Sequence, residues 1–185
     1  HGAPTDENAH PHKDQSGKLA LVHNGVIENY ISIKDQLLAE GHTFHSETDT
    51  EVLAHLVGKC YDETEETEPQ AKLVAAVQAA LPRVKGTFGI AVIHADAPGV
   101  IVGSRLGSPL VVGLGKDEHF LASDVGAIVA HTRDVIYLND YDLVTITRHG
   151  YDVGSLDTNR TASVKVSRVD FTEDDAEKGK FEHYM

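Results

Sequence analysis

Helical patterns come first in this chain and strand patterns later, and this order restricts the fold more than any other feature. Three stretches before residue 85 carry apolar residues at spacings of three and four, which is typical of amphipathic helices. The second half instead contains short runs rich in β-branched residues, such as FGIAVIH, VIVGS and LVTIT. Helices followed by strands favour an α+β fold over an alternating parallel α/β sheet.

Length and charge limit the class of protein. A chain of 185 residues is long enough for one core, so residues 1–185 are predicted to form a single domain. Sixteen basic and twenty-nine acidic residues give a net charge of -13, which disfavours nucleic acid and anionic membrane surfaces as partners. A single cysteine, in a sequence without an apolar run long enough to cross a bilayer, favours a cytoplasmic protein.

The dipeptide Asn24-Gly25 stands where a strand pattern changes to a helix pattern. Asn-Gly between strands predicts a hairpin, yet the residues from about 28 to 40 have helical spacing. At such a junction glycine permits a sharp turn and exposes its N–H, while asparagine adds two further donors. Donors that converge on one point form an oxyanion hole suited to acyl transfer. A plain tight turn explains the dipeptide equally well.

Asp49 lies in the first turn of the second predicted helix, which Thr48 and Glu51 open as a capping box. The helix macrodipole favours an acidic residue at that position in any protein. Since Thr48 and Glu51 already account for the cap, the carboxylate of Asp49 is also free to hold a cation such as a substrate ammonium. The spacing leaves both interpretations open.

The cysteine and the paired histidines are weaker candidates for chemistry. Cys60 falls on the apolar stripe of the second helix, which predicts a buried side chain and not a nucleophile. His10 and His12 flank Pro11 without the partner residues of a zinc motif, so they indicate a rigid loop. Neither a metal nor a cofactor is expected.

Three segments resemble one family. HGAPTDENAHPH, LVHNGVIENY and SETDTEV, in this order and spacing, are similar to the glutaminase domain of glutamine:fructose-6-phosphate aminotransferases, which are class II glutamine amidotransferases. The similarity continues through GTFGIAVI, GSPLVVGLG, FLASDVGAIVAHT and the closing HYM, and so covers nearly the whole chain. It implies a four-layer αββα sandwich of the N-terminal-nucleophile hydrolase type, with two antiparallel sheets between helical layers.

The resemblance also implies a chemistry and its residues. The family hydrolyses the side-chain amide of L-glutamine through a thioester on an amino-terminal cysteine, and passes ammonia to a sugar isomerase domain that makes glucosamine 6-phosphate. Asn24 matches the oxyanion-hole side chain, Gly25 the main-chain donor beside it, and Asp49 the carboxylate that holds the substrate ammonium. His1 matches the last histidine of a loop that closes over the substrate, to which residues 2–5 also belong.

The beginning of the sequence departs from the family pattern. The amino-terminal cysteine and the first strands of the sandwich are missing before His1. Unpaired sheet edges favour association with a second copy, as a homo-oligomer. Two alternatives stay open: a non-catalytic module that binds glutamine or pairs with a partner, and the glutaminase module of a sister enzyme with another acceptor.

These 185 residues alone are expected to release glutamate from glutamine no faster than background. The family's nucleophile is missing from them, and Cys60 has no free α-amino group to act as its base. Glutamate release by the purified, mass-verified chain measures this. Release that depends on a cysteine would contradict the expectation.

Overall fold

The computed structural model describes residues 2–157 and 159–170, which form three α-helices and two antiparallel sheets. The helices are α1 (Tyr30–Ala39), α2 (Asp49–Glu63) and α3 (Pro69–Ala80). The strands are β1 (His12–Lys13), β2 (Leu19–Ile27), β3 (Gly86–His94), β4 (Ile101–Leu106), β5 (Val111–Leu114), β6 (His119–Ala122), β7 (Asp134–Tyr137), β8 (Asp142–Thr147), β9 (Gly150–Ser155) and β10 (Val166–Arg168). Short 3-10 turns lie at Asp6–Asn8, Leu81–Arg83 and Val125–Ala127.

The first sheet has six strands in the order β1-β2-β3-β4-β8-β9, and the second has four in the order β10-β7-β5-β6. Neighbouring strands are antiparallel throughout both sheets. The longest pairing joins β2 and β3, from Leu19↔His94 to Ile27↔Gly86. All three helices lie in the first half of the chain, and eight of the strands follow residue 85. The predicted α+β class is therefore confirmed.

One apolar core lies between the helices and the first sheet. Leu19, Leu21 and Ile27 of β2 pack there with residues of the helical stripes, such as Leu56 and Leu73, and all five are at most 1% exposed. Burying one such side chain fully contributes about 1.5–3 kcal/mol. This core therefore fixes which face of β2 meets α2.

A second apolar core lies between the two sheets. Val112 and Ile136 of the second sheet pack there against Val144 and Ile146 of the first. A smaller cluster on the outer face of the second sheet includes Ile128, which follows the 3-10 turn Val125–Ala127. The order helices, sheet, sheet agrees with the predicted sandwich.

Among the described residues, no helix is long and apolar enough to span a membrane.

The second sheet covers only part of the first. Because side chains alternate between the faces of a strand, Val22 and Val26 of β2 and Ile93 of β3 lie on the face away from the helices. These three side chains are 41%, 57% and 49% exposed. Contiguous exposed apolar side chains mark an interaction surface more often than single ones do.

The ends of the helices follow the sequence pattern except at α1. Thr48 Oγ1 accepts a hydrogen bond from Glu51 N–H at 3.2 Å, so the predicted N-cap of α2 is confirmed. Helix α1 begins at Tyr30, two residues later than predicted, because β2 continues through Asn24 and Gly25 to Ile27. The prediction that Asn24-Gly25 is the strand-to-helix junction was therefore wrong, since nine residues of β2 pair with β3.

His55 is a titratable group buried within the helical core, with 2% of its surface exposed. Its ring stacks on Phe44 with centroids 4.4 Å apart, and its Nδ1 lies 2.9 Å from Nδ1 of His42. Burial, together with the charge of His42, lowers the pKa of His55 from 6.5 to about 4, against the opposing effect of Glu51 and Asp14. The folded protein therefore keeps this ring neutral in mild acid.

The variant His55→Gln should make folding stability less sensitive to acid. Between pH 6.5 and 4 the unfolded chain binds a proton on His55 that the folded protein excludes, so wild-type stability falls with pH by up to about 3 kcal/mol from this group. Urea unfolding at pH 7 and pH 5 measures the difference. His149→Gln, at an exposed position, should follow the wild type. An unchanged pH dependence in His55→Gln would contradict the assignment.

Candidate functional site

Main-chain groups of β2 point alternately to its two neighbours. At the two ends of the β2–β3 pairing, Ala95 N–H donates to the Lys18 carbonyl and Glu28 N–H donates to the Lys85 carbonyl, both at 2.9 Å. Hydrogen-bonded and non-hydrogen-bonded pairs alternate along antiparallel strands. Even-numbered residues of β2 therefore bond to β3, and odd-numbered residues direct their N–H groups toward the other edge.

The edge of β2 that faces β1 is open beyond residue 21. Asp14 N–H donates to the Leu19 carbonyl at 3.3 Å on this side, and β1 pairs with Ala20 and Leu21. Gly25, an odd-numbered residue, directs its N–H past the end of β1. Within residues 2–157 and 159–170, no side chain or loop carbonyl accepts a hydrogen bond from it. The Gly25 amide is thus a free donor at a sheet edge.

Gly25 has a backbone conformation that requires glycine. Its φ is +140°, and a Cβ built on it would lie 2.2 Å from the carbonyl oxygen of Thr87 and 3.0 Å from Nε2 of His23. A side chain at this position would collide with the backbone of β3, which cannot move without disrupting the sheet. The glycine therefore allows β2 and β3 to pair while the amide stays exposed at the edge.

Asn24 precedes Gly25 on β2. The side chain is exposed, on the sheet face away from the helices, and no described residue forms a hydrogen bond with the carboxamide. The two donors predicted for an oxyanion hole are therefore adjacent and free. That they converge on a single point stays a prediction.

Asp49 lies at the same open edge. Its partly buried carboxylate accepts a hydrogen bond through Oδ2 from Ile27 N–H at 2.7 Å. Ile27 is an odd-numbered residue two positions after Gly25, so the two N–H groups point the same way about 7 Å apart. The fold thus brings Gly25 and Asp49 to one edge, with Asn24 next to Gly25 along the strand. His1, the fourth predicted site residue, lies outside the described residues.

A network of histidines and hydroxyls lies beside this edge. Thr50 Oγ1 is 3.1 Å from Nδ1 of His23 and 3.3 Å from Nε2 of His10. His23 Nε2 in turn lies 3.3 Å from the Thr87 carbonyl oxygen. Burial lowers the pKa of both His10 and His23, which favours neutral rings that can accept as well as donate.

The start of α2 is held by a second set of polar groups. His12 Nε2 lies 3.0 Å from Thr48 Oγ1, and Glu51 accepts from the N–H groups of His45 and Ser46 at 2.8 and 2.7 Å. Burial raises the pKa of Glu51, but these hydrogen bonds together lower it by more. The pKa of Glu51 therefore lies below its ordinary value. The carboxylate therefore stays ionised and keeps the loop before α2 folded against the helix.

Sequence reasoning missed the roles of His23 and Thr50. A signal was present, because His23 occupies the alternating apolar face of β2 between Leu21 and Ile27. A buried imidazole at such a position requires hydrogen-bond partners. Thr50 was overlooked because its partner is 27 residues away in the sequence.

The other candidates have no catalytic geometry. Cys60 is 5% exposed, and burial raises the pKa of its thiol, so the predicted core role is confirmed. His10 and His12 contact each other edge to face, with centroids 5.3 Å apart, and bond to threonine hydroxyls. No group of three or more His, Cys, Asp or Glu side chains in the described part of the chain is arranged to hold a metal ion.

Residues 3–130 match the family model for a glutamine amidotransferase domain. The chain belongs to this family. Aligned over all 185 residues, it is 49% identical to glutamine–fructose-6-phosphate aminotransferase (isomerizing) of a Thermus thermophilus strain and 45% identical to that of Streptomyces coelicolor. The chain spans 29% of the length of each of these relatives.

Solved structures agree with this assignment. Glutamine phosphoribosylpyrophosphate amidotransferase from B. subtilis superposes with a TM-score of 0.67 at 25% identity, over 85% of this chain and 34% of that one. A glutamine aminotransferase class-II domain protein from Silicibacter pomeroyi superposes with a TM-score of 0.51 at 21% identity, over 80% of this chain and 70% of that one. The fold is that of the N-terminal-nucleophile type of glutamine amidotransferase.

Gly25→Ala should destabilise the domain more than Gly17→Ala. Both glycines have positive φ, but a Cβ at Gly17 meets nothing within 4 Å, whereas at Gly25 it meets the Thr87 carbonyl oxygen at 2.2 Å. The backbone strain common to both costs about 1–3 kcal/mol, and the collision adds to it only at Gly25. Thermal unfolding of the two variants measures the difference. Equal melting temperatures would contradict the described conformation of Gly25.

Proposed function

We propose that this chain is the glutamine-hydrolysing domain of a glutamine–fructose-6-phosphate aminotransferase, and that its ammonia is used to make glucosamine 6-phosphate. The observation that carries the proposal is the edge of β2, where the Asp49 carboxylate accepts from Ile27 N–H two residues after Gly25, and Asn24 precedes Gly25 on the same strand. The relatives that match along the whole chain bear this enzyme's name, which supports fructose 6-phosphate as the acceptor.

The geometry supports a division of roles along the edge. The side-chain amide of L-glutamine would lie at Asn24 and Gly25, whose donors stabilise the negative charge that develops on the amide oxygen during attack. The substrate ammonium would lie at Asp49, whose other oxygen, Oδ1, has no hydrogen-bond partner among the described residues. The separation of about 7 Å between the two N–H positions is comparable with an extended glutamine.

The nucleophile must come from outside these 185 residues. The resemblance assigns it to an amino-terminal cysteine, and Cys60, the sole cysteine of this sequence, is buried in the helical core. We propose that residues 1–185 act as one domain within a longer enzyme that supplies the nucleophile and a sugar isomerase domain. His1 would close over the bound glutamine, as the family's loop histidine does.

The exposed apolar face of the first sheet supports a further contact. Val22, Val26 and Ile93 would be covered by another part of the enzyme or by a second copy in a homo-oligomer. The net charge of -13 supports an enzyme without nucleic acid or anionic membrane partners, and the single cysteine supports a cytoplasmic setting.

Two other candidate functions require different properties of the site. A sister amidotransferase would share the β2 edge but deliver ammonia to another acceptor; the similar structure from B. subtilis is named for phosphoribosylpyrophosphate. A non-catalytic module would bind glutamine at Asp49 without needing free donors at Asn24 and Gly25. The free donors favour hydrolysis.

In the complete enzyme, Asn24→Ala should lower kcat for glutamine hydrolysis by about 100- to 1000-fold with little change in KM, because the donor acts on charge that forms only during reaction. Asp49→Asn should mainly raise KM, because the substrate ammonium loses its counter-charge. Steady-state glutamate release measures both. Asn159→Ala is the matched control, since that asparagine is exposed and far along the sequence.

The outcomes separate the alternatives. Full activity in Asn24→Ala would remove the oxyanion role. Glutamine binding without hydrolysis by the wild-type enzyme would favour the non-catalytic module. Hydrolysis without amino transfer to fructose 6-phosphate would favour the sister enzyme.

A further inference from the structure

The first turn of α2 is attached to β2 at two points that flank the candidate oxyanion hole. Thr50 Oγ1 lies 3.1 Å from His23 Nδ1 on one side, and Asp49 Oδ2 accepts from Ile27 N–H at 2.7 Å on the other. Gly25 lies midway between His23 and Ile27. The position of the helix start relative to the Gly25 amide is therefore set by both contacts.

The hydrogen bonds at His23 have a definite direction. A carbonyl oxygen can only accept, so His23 Nε2 donates to the Thr87 carbonyl oxygen. In the neutral ring Nδ1 must then accept, and the hydroxyl of Thr50 donates to it. Thr50 Oγ1 remains able to accept from His10 Nε2 at 3.3 Å. Both ring nitrogens of His23 and the hydroxyl of Thr50 thus have partners of the correct type.

His23 also contacts the space beneath Gly25. Its Nε2 and the Thr87 carbonyl oxygen are two of the nearest atoms that a Cβ on Gly25 would meet. Thr87 in addition accepts from Val26 N–H through Oγ1 at 3.3 Å. The ring and the Thr87 peptide thus pack directly against the Gly25–Val26 peptide. The side chains that link α2 to this point are buried, since His23 is 4% and Thr50 1% exposed.

We propose that His23 and Thr50 are positioning residues that fix the distance between the Gly25 amide and the Asp49 carboxylate. The inference rests on the proposed function, because that distance matters only if both groups bind the same glutamine. When Thr50 cannot bond to His23, the helix start keeps the contact between Asp49 and Ile27 but loses its anchor on the other side of Gly25. The two ends of the substrate are then held less accurately.

The test uses Thr50→Val in the complete enzyme, because valine has nearly the same shape and lacks the hydroxyl. Misplacement on the scale of 1 Å can cost about 100-fold in rate, so kcat/KM for glutamine should fall by about tenfold or more. Thr50→Ser keeps the hydroxyl and should recover most of the activity. Ser104→Ala is the control for lost stability, since that serine is 0% exposed and its Oγ donates to the Asp142 carbonyl at 2.8 Å, toward β8 and two strands away from His23.

Melting temperatures separate positioning from general stability. If Thr50→Val and Ser104→Ala lose similar stability and only Thr50→Val loses kcat/KM, the proposal is supported. If both keep wild-type kcat/KM, or if Thr50→Ser is as impaired as Thr50→Val, it is overturned. Should Thr50→Val fail to fold, His23→Gln is measured by the same criterion.

The failure of the proposed function would look different. In that case the wild-type enzyme itself would release no glutamate from glutamine, and all of the variants would be equally inactive. A wild-type enzyme that is active, with Thr50→Val unchanged, removes the positioning role alone.

Discussion

The hydrogen bond between Asp49 and Ile27 N–H is the contact on which the arrangement of the site depends. It is the one bond that, within the described residues, joins a predicted substrate-binding group to the strand bearing the predicted oxyanion donors. The N–H of Ile27, a residue that is 1% exposed, needs an acceptor, and β1 ends too early to supply one. The carboxylate takes that place through Oδ2, and its other oxygen, Oδ1, has no hydrogen-bond partner among the described residues.

Two glycines, one on each strand, allow the backbones of β2 and β3 to approach closely near the open edge. Gly25 on β2 and Gly86 on β3 have φ of +140° and +119°, and a Cβ on Gly86 would lie 2.1 Å from the Val26 carbonyl oxygen. Glycine inside a strand weakens it, since it buries no side chain and loses more backbone entropy. Packing of the odd-numbered face of β2 against α2 offsets that loss.

Local patterns in the sequence predicted the parts of the fold that local forces decide. Spacing identified the helices, Thr48 identified the start of α2, and the apolar stripe placed Cys60 in the core. The strand conformation of Asn24-Gly25 was not predicted, because the dipeptide in isolation favours a hairpin turn or a junction. Pairing with β3, some 60 residues later, keeps it within the strand. The contact between His23 and Thr50 depends in the same way on tertiary structure, so no short window contains it.

The candidate donors and the exposed apolar face lie on the same strand, β2. A strand edge covered by another strand would have its N–H groups bonded, and Gly25 could then bind nothing else. The even-numbered face next to this open edge is exposed as well, and there Val22 and Val26 alternate with Asn24. Such an edge invites unwanted pairing, and it is retained where function requires it. A part of the enzyme, or a second copy, that covers this face must leave the amide of Gly25 accessible. It can therefore pack on the face of the sheet but cannot pair along the edge at Gly25.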